Sequence, residues 1–489
     1  MKFKHSVLFC AVASVLLVSP AVSAQTLGEA VDQTIKSNPD VLIEANRRLS
    51  TDEAVNQAKG GYRPKIDLSA GVGAEWSENT STRPGSDNLW RRESALTLSQ
   101  MIYDGFGTKS EVQRHQARVK SAAHRVAGTS EEIGLRAVET YLEVVRRQEL
   151  RNLTQDNLAA HERVFEQIKL RSDSGVGRKA DLEQAQARLA LAQANMASAD
   201  ANLREAHIQF QRVVGEMPRD IARPGQPEGV PTSEEDALGV AVSNHPLLNS
   251  AAADIEAAQA QTRAAESLMR PRVDLELGTS WNNNLDGVRY KNNDAYAMLR
   301  FRYNLYHGGT DKARVAERRI QEMEASEIMN RTRRQVEEST RLSWNSLLTS
   351  SDRLPKLKAH ADATELTREA YAKQFSIGQR TLLDLLDSEN ELYTARSNYI
   401  DGQFIEMFAR YRLLADMGKL TESLGVAPRE EAKVIMANGT PAKAEPAAAT
   451  APAAEPAVVE AAPAEAAPAA EPAPAAEPMP AKEEAAPAP

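Results

Sequence analysis

Thiols are all but missing from this chain. Its one cysteine, Cys10, stands inside the apolar run "SVLFCAVASVLLV" without the Leu-Ala-Gly approach of a lipidated cysteine, so no disulfide framework, thiolate zinc site or cysteine nucleophile is expected. That run is well short of the roughly 20 apolar residues a spanning helix needs, and no later stretch comes close. Preceded by "MKFKH" and followed by "SPAVSA", it reads as a cleaved secretory signal over 1–24, with Gln25 as the mature start. The eight histidines show no His-Glu-x-x-His or similar ligand spacing, which argues against a metal enzyme. Excess basic charge is absent too: the formal net charge is -9, so the clustered Lys and Arg that neutralise phosphates are missing and no nucleic-acid partner is expected. "GFGTKS" and "GVGRKA" lack the length of a phosphate-binding loop, and no cofactor or catalytic role is expected. Only 5% of residues are aromatic while alanine and glutamine abound, the profile of long, exposed helices.

What the chain does have is a duplication. "RPKIDLSAGVGAEW" from Arg63 is nearly repeated in "RPRVDLELGTSW" from Arg270, and Pro39 and Pro64 answer Pro246 and Pro271, both 207 positions on. "GVGRKADLEQAQARL" from Gly175 answers "GQRTLLDLLDSENEL" from Gly378, now 203 positions on. Two repeats follow, 25–218 and 235–426, joined by a Pro- and Gly-rich connector at 219–234 that cannot continue a helix. From 427 to 489 the sequence collapses into Ala, Pro and Glu, too poor in apolar side chains to offset its ordering entropy, and is expected to be a disordered tail.

Within each repeat the periodicity switches from two to helical. Ile66, Leu68, Ala70, Val72, Ala74 and Trp76 alternate with Asp67, Ser69, Gly71, Gly73 and Glu75, and Val273, Leu275, Leu277 and Trp281 alternate in the same way. Each run leads through a polar loop, "SENTSTRPGSDN" or "NNNLDGVRYKNND", to a second strand, predicting one hairpin at 64–104 and another at 271–307. The fold class is therefore α+β, with four strands per chain. The remainder steps by threes and fours, as in Leu182, Ala185, Leu189, Ala192 and Met196, a seam for helix packing. Helices near 108–171 and 310–375 would each be roughly 100 Å long at 1.5 Å per residue, and form a tube or rod. The strands have the length and apolar-out, polar-in alternation of tilted bilayer strands, with Trp76, Trp90 and Trp281 at their loop ends. Tyr103 and Tyr306 fall on the polar parity and fit this less well, with the strand-to-helix corner as the alternative place for them. Four strands cannot close a membrane barrel, so the chain must share one with other copies.

The Pro-led hairpin pair, the corners "YDGFGT" and "YHGGT" and above all "GQRTLLDLLDSENELYTARSNY" resemble the TolC family of outer-membrane efflux and secretion channels, over about residues 26 to 420. The resemblance implies a homotrimer whose twelve strands form a barrel in the outer-membrane lipid of a Gram-negative bacterium, continued by a periplasmic tunnel of helices. It implies as partners a periplasmic adaptor protein and an inner-membrane transporter, met by the turns at Gly175, Gly177 and Gly378. It also implies a cation-attracting ring of Asp384 and Asp387 at the periplasmic mouth and closing contacts through Asp181 and Arg380. The family's tyrosine near the second tip is Phe375 here. The wording "GVGRKADLEQAQARL" and "RTLLDLLDSENELY" is closer to the type I protein-secretion branch, with small-molecule efflux as the alternative. A periplasmic coiled-coil structural protein would explain the helices but not the strands.

Overall fold

The structure, a computed structural model, describes residues 24–434 apart from 81 and 84. The expected leader, save its last residue, lies outside the described residues, as does the tail beyond 434. Among the described residues no helix is long and apolar enough to cross a membrane.

Each repeat opens with two capped helices. Thr26 and Glu29 form a reciprocal capping box at α1 (Leu27–Ser37), and Asn38 caps α2 (Pro39–Lys59), whose first-turn proline lacks an N–H that would have no helical partner anyway. The second repeat reaches the same geometry with other residues: Ser233 caps α5 (Glu234–Asn244), and His245 Nδ1 accepts from the Leu247 amide at the start of α6 (Pro246–Glu266).

The two hairpins, β1 (Lys65–Ser77) with β2 (Asp87–Tyr103) and β3 (Arg272–Leu285) with β4 (Val288–Arg302), join in one antiparallel sheet in chain order. Register aligns the apolar parities across it. Ile66, Leu98, Leu277 and Ala297 form one row, and Leu68, Leu96, Thr279 and Ala295 the next. Among the described residues nothing covers this face, and Ile66, Leu68 and Leu299 are 64%, 73% and 69% exposed. The opposite face carries ion pairs, Arg91 with Glu75 and Glu93, Arg300 with Glu276, and Arg302 with Asp274. Gly278 lies on that face under the Tyr296 ring, where an added Cβ would come to 2.5 Å of Cζ.

Three sequence expectations change here. "NNNLDGVRYKNND" is mostly strand, closed by the turn Asp286-Gly287 with φ of 53° and 76°; its Asn-rich composition, poor in strand formers, concealed that. A register break between Met101 and Tyr103 places Tyr103 opposite Val273, on the apolar parity. The second hairpin, expected to reach 307, ends at Arg302, so Tyr306 takes its alternative place in the strand-to-helix corner. Gln100, which interrupts the apolar alternation of β2, donates to the Tyr62 carbonyl at 3.0 Å and so ties the strand to the turn preceding β1.

Phe106 (φ 71°) and Gly309 (φ 83°) supply the left-handed residue that opens α3 (Gly107–Asp173) and α7 (Thr310–Ser376). At 67 residues each, these helices are about 100 Å long. They return as α4 (Lys179–Val214) and α8 (Leu382–Asp416). Helix α4 packs on α3, α3 on α8 and α8 on α7. Pro355 removes an amide donor inside α7, and Gly402 on α8 faces that stretch, where a Cβ would stand 2.6 Å from Leu357 Cδ1.

The principal core lies where α1 and the short α9 (Leu420–Ser423) meet the long helices, around Val31, Val138, Tyr141, Phe210 and Leu414. It also pins the connector, which runs between the ends of α4 and α5 and so begins a few residues before the expected 219. The Tyr141 hydroxyl lies 2.9 Å from both the Gln25 and Ala222 carbonyls, which share its single proton, and Tyr411 donates to that of Gly225 at 3.1 Å. Burial pushes the Tyr411 hydroxyl up to about 12, so it remains a donor. The expected tail boundary at 427 falls short of the packed chain. Arg429 donates to the Ile35 and Lys36 carbonyls at 3.3 Å, and a turn at Glu430–Ala432 rests on α3.

A buried carboxylate holds α9. Glu131 on α3 accepts from the amides of Leu420 (2.9 Å) and Thr421 (3.2 Å) and from the Thr421 hydroxyl. Burial raises its pKa, the hydrogen bonds opposing this. Glu131→Ala leaves both amides unpaired and should cost about 1–3 kcal/mol, read as a lower thermal midpoint of the detergent-purified protein. Because the folded chain holds this proton more tightly than the unfolded one, the group's contribution grows as pH falls toward the ordinary carboxylate range. Alanine should abolish that dependence.

Candidate functional site

The ends of the two helical hairpins collect nearly all the candidate residues. At the first tip the chain reverses through Gly175 (φ 76°). The amides of Val176 and Gly177 then donate to the Arg171 carbonyl at 3.1 and 2.8 Å, closing the end of α3. Gly177 is required by space rather than by dihedral angle, since a Cβ there would stand 2.8 Å from Ser172 N. The second tip turns at Gly378 (φ 79°), with the Gln379 amide on the Gln374 carbonyl at 2.9 Å. Both turns present an apolar residue to solvent, Val176 at 84% and Ile377 at 68% exposure.

Beneath the tips, Val164 and Ile168 of α3, Ala185 of α4, Phe375 of α7 and Leu382, Leu385 and Leu386 of α8 form one cluster. It locks the hairpins side by side and fixes the heights of the charged residues around it. Phe375 is part of this core, with the Arg171 guanidinium over its ring at 5.2 Å, so a hydroxyl there would be buried.

Asp384 closes a capping box with Thr381: its carboxylate accepts from the Thr381 amide at 3.1 Å, and its own amide donates to the Thr381 hydroxyl at 3.3 Å. The Thr381 hydroxyl and amide hold its carboxyl below the usual range, and Arg380 adds to this. Arg380 lies 3.9 Å from Asp384, stacks over the Tyr371 ring at 4.1 Å and donates to Gln374 Oε1 at 3.1 Å. Asp387 pairs across the hairpins with Arg188 of α4 at 2.9 Å. Asp181 lies in the first turn of α4, half-buried, and within this chain makes no side-chain bond to Arg380 among the described residues. The structure therefore gathers Arg380, Asp384 and Tyr371 at one tip and ties Asp387 to the other hairpin, while leaving Asp181 apart.

Three participants escaped the sequence reading. Arg188 neutralises Asp387, and Tyr371 supplies an aromatic partner one helical turn before Phe375. Glu389 is the third, only 8% exposed, with Arg368 Nε 3.1 Å from its carboxylate across the α7–α8 seam. Burial raises its pKa against the pull of Arg368 and Arg163. Its position was legible as one in the Leu382, Leu385, Leu386, Leu392 stripe, where any charge is buried.

A sheet with an uncovered apolar face and an ion-paired polar one, continued by 100 Å helices with charged tips, is the shape of a shared membrane duct. The sequence matches the family described as "Outer membrane efflux protein" over residues 30–216 and 237–412, one segment for each repeat. The chain belongs to that family. It is thus an outer-membrane channel protein of a Gram-negative bacterium, of the TolC type. Among relatives, the outer membrane efflux protein BepC of Brucella suis is 23% identical, covering 84% of this chain and 89% of that one. The outer membrane protein TolC of Vibrio cholerae is 24% identical over 83% and 93%. The alkaline protease secretion protein AprF of Pseudomonas aeruginosa is 24% identical over 74% and 77%. Of solved structures, the Campylobacter jejuni CmeC outer membrane channel superposes with a TM-score of 0.71 at 15% identity, over 85% of this chain and 91% of that one. It shares the helical and strand architecture described above.

The tip geometry carries a prediction for this channel. Gly177→Val pushes a side chain into the backbone at Ser172 and should disrupt the first tip while leaving the sheet, about 100 Å away, unaffected. Export should fall while the amount of protein in the outer membrane stays constant, as read by fractionation beside a transport assay.

Proposed function

We propose that three copies close a twelve-stranded barrel and form the exit duct of a tripartite export system, most directly type I protein secretion. The sheet carries this reading: β1 and β4 are open edges, and unpaired backbone groups cannot be left in lipid. Partners of the same chain satisfy both edges and cover none of the apolar face. The exposed tips around Gly175, Gly177 and Gly378 then meet a periplasmic adaptor protein, which links the duct to an inner-membrane transporter. The mouth is ringed by Asp384 and Asp387, and Arg380 of one hairpin faces Asp181 of a neighbouring chain when closed. The duct works passively, as a positioned pore.

Protein secretion is favoured by the tip wording and by the similarity to AprF, an alkaline protease secretion protein. Small-molecule efflux is the second reading, favoured by the longer match to the efflux protein BepC. Deleting the gene and comparing the secreted proteome with dye and antibiotic susceptibility separates them. Loss of a secreted protein supports secretion, and heightened susceptibility with an unchanged secretome supports efflux. The trimer is tested by an oligomer band on unheated detergent gels; a monomer that retains full strand content contradicts it.

A further inference from the structure

We propose that the β3–β4 turn is a strap folded across the polar face of the sheet, narrowing the outer mouth and limiting the size of solute that can enter from outside. This rests on the twelve-stranded closure proposed above, in which the polar face lines the lumen.

The strand order puts β2 and β3 between β1 and the far strand β4. Neighbouring strands lie about 4.8 Å apart, so a turn standing upright on β3 and β4 would be roughly 10 Å or more from β1. Instead the Gly287 amide donates to Glu75 Oε1 on β1 at 3.2 Å, and a Cβ at Gly287 would lie 3.3 Å from that of Ser77. Asn79 Nδ2 donates to the Asp286 carbonyl at 2.8 Å. The turn has therefore crossed β2. It does so on the polar side, because Glu75 and Ser77 share the parity of Asp67 and Ser69.

Two arginines fasten it. Arg91 on β2 pairs with Glu75 at 2.9 Å and reaches Asp286 at 3.5 Å. Arg289, just past the turn, bonds Asp87 through both Nε (3.2 Å) and Nη2 (2.7 Å). The backbone is bent for the purpose: Asn284, Asp286 and Tyr290 have φ of 55°, 53° and 74°, uncommon for residues with a side chain, and the register breaks between Asn283 and Leu285. Asn284 secures the bend by donating to the Trp90 carbonyl at 3.0 Å and accepting from the Tyr290 amide at 2.9 Å. Three such straps, one per chain, would lean inward over the exit, held by ion pairs that a passing substrate can displace.

The test reads the outer mouth alone, independently of the periplasmic one. Ser69→Cys places a thiol on the polar face inside the barrel, and intact cells are exposed to a small charged maleimide or to a polyethylene-glycol maleimide. With the strap in place the small reagent should label much faster than the polymer. Arg91→Gln with Arg289→Gln should raise the polymer's rate toward that of the small reagent. So should Asp286→Asn with Asp87→Asn, which removes the Arg91–Asp286 and Arg289–Asp87 pairs from the acidic side and serves if the arginine variant does not assemble. Equal rates for both reagents on the unaltered strap overturn the proposal, as does an unchanged polymer rate in a loosened strap. The unheated-gel oligomer band, read on the same cells, separates these results from a failure of trimer closure.

Discussion

Leu68→Arg should nearly abolish the assembled channel in the outer membrane, while Ser69→Arg, one residue on, should be tolerated. Leu68 is 73% exposed on the apolar face, in a row with Leu96, Thr279 and Ala295, and is the fourth residue of β1 (Lys65–Ser77). An arginine facing lipid costs about 2–4 kcal/mol at the bilayer midplane and less toward either interface, and in a three-fold assembly the cost falls on every chain at once. Ser69 points to the opposite face, beside residues already organised as ion pairs, where an added guanidinium remains hydrated. The comparison is made by measuring the oligomer band in outer-membrane fractions. Equal recovery of the two variants would mean that the apolar face does not meet lipid.

The same alternation explains how much of the fold was legible in the sequence. The period of two through Ile66, Leu68 and Val72, the stepping by threes and fours through Leu182 and Leu189, and the repetition of Pro64 in Pro271 each report a local preference, and each survives unchanged in the structure. What did not show was whatever depends on residues distant in sequence. The strand content of "NNNLDGVRYKNND" comes from pairing with β3 and from contacts to Glu75 and Trp90, because asparagine does not favour strands by itself. The connector reads as a linker until Tyr141 and Tyr411 are seen to bond its carbonyls.

The candidate site divides in the same way. Asp384 was visible as an acid near a helix start, and the capping box with Thr381 accounts for that position in full. Its local role as a cap and its proposed role at the mouth are compatible, because the cap fixes the carboxylate's direction. The partners of Asp387 and Glu389 were not visible, since Arg188 belongs to the other repeat and Arg368 to the preceding helix. Charge at helix-packed hairpin tips is a property of pairs, and the sequence shows only members.

Those pairs set the last expectation, the selectivity of the mouth. Each chain brings Asp384, whose carboxyl the Thr381 hydroxyl holds below the usual range, and Asp387, whose charge Arg188 offsets at 2.9 Å. Asp384→Ala should therefore remove most of the cation preference, since rings of acidic side chains select cations. Asp387→Ala should do more than delete a charge: it releases Arg188, so the double variant should lose cation selectivity and tend toward anions. Arg188→Ala should act in the opposite sense, freeing Asp387 and strengthening cation preference and block by multivalent cations. The depressed pKa fixes the pH dependence. Because the Asp384 carboxyl is held below the usual carboxylate range, its part of the wild-type selectivity should fade at a lower pH than that of an ordinary carboxylate. Reversal potentials across a salt gradient in planar bilayers read all four cases. If Arg188→Ala and Asp387→Ala shift the potential in the same direction, the pair is only a hairpin tether, and the charges that select ions lie elsewhere in the tunnel.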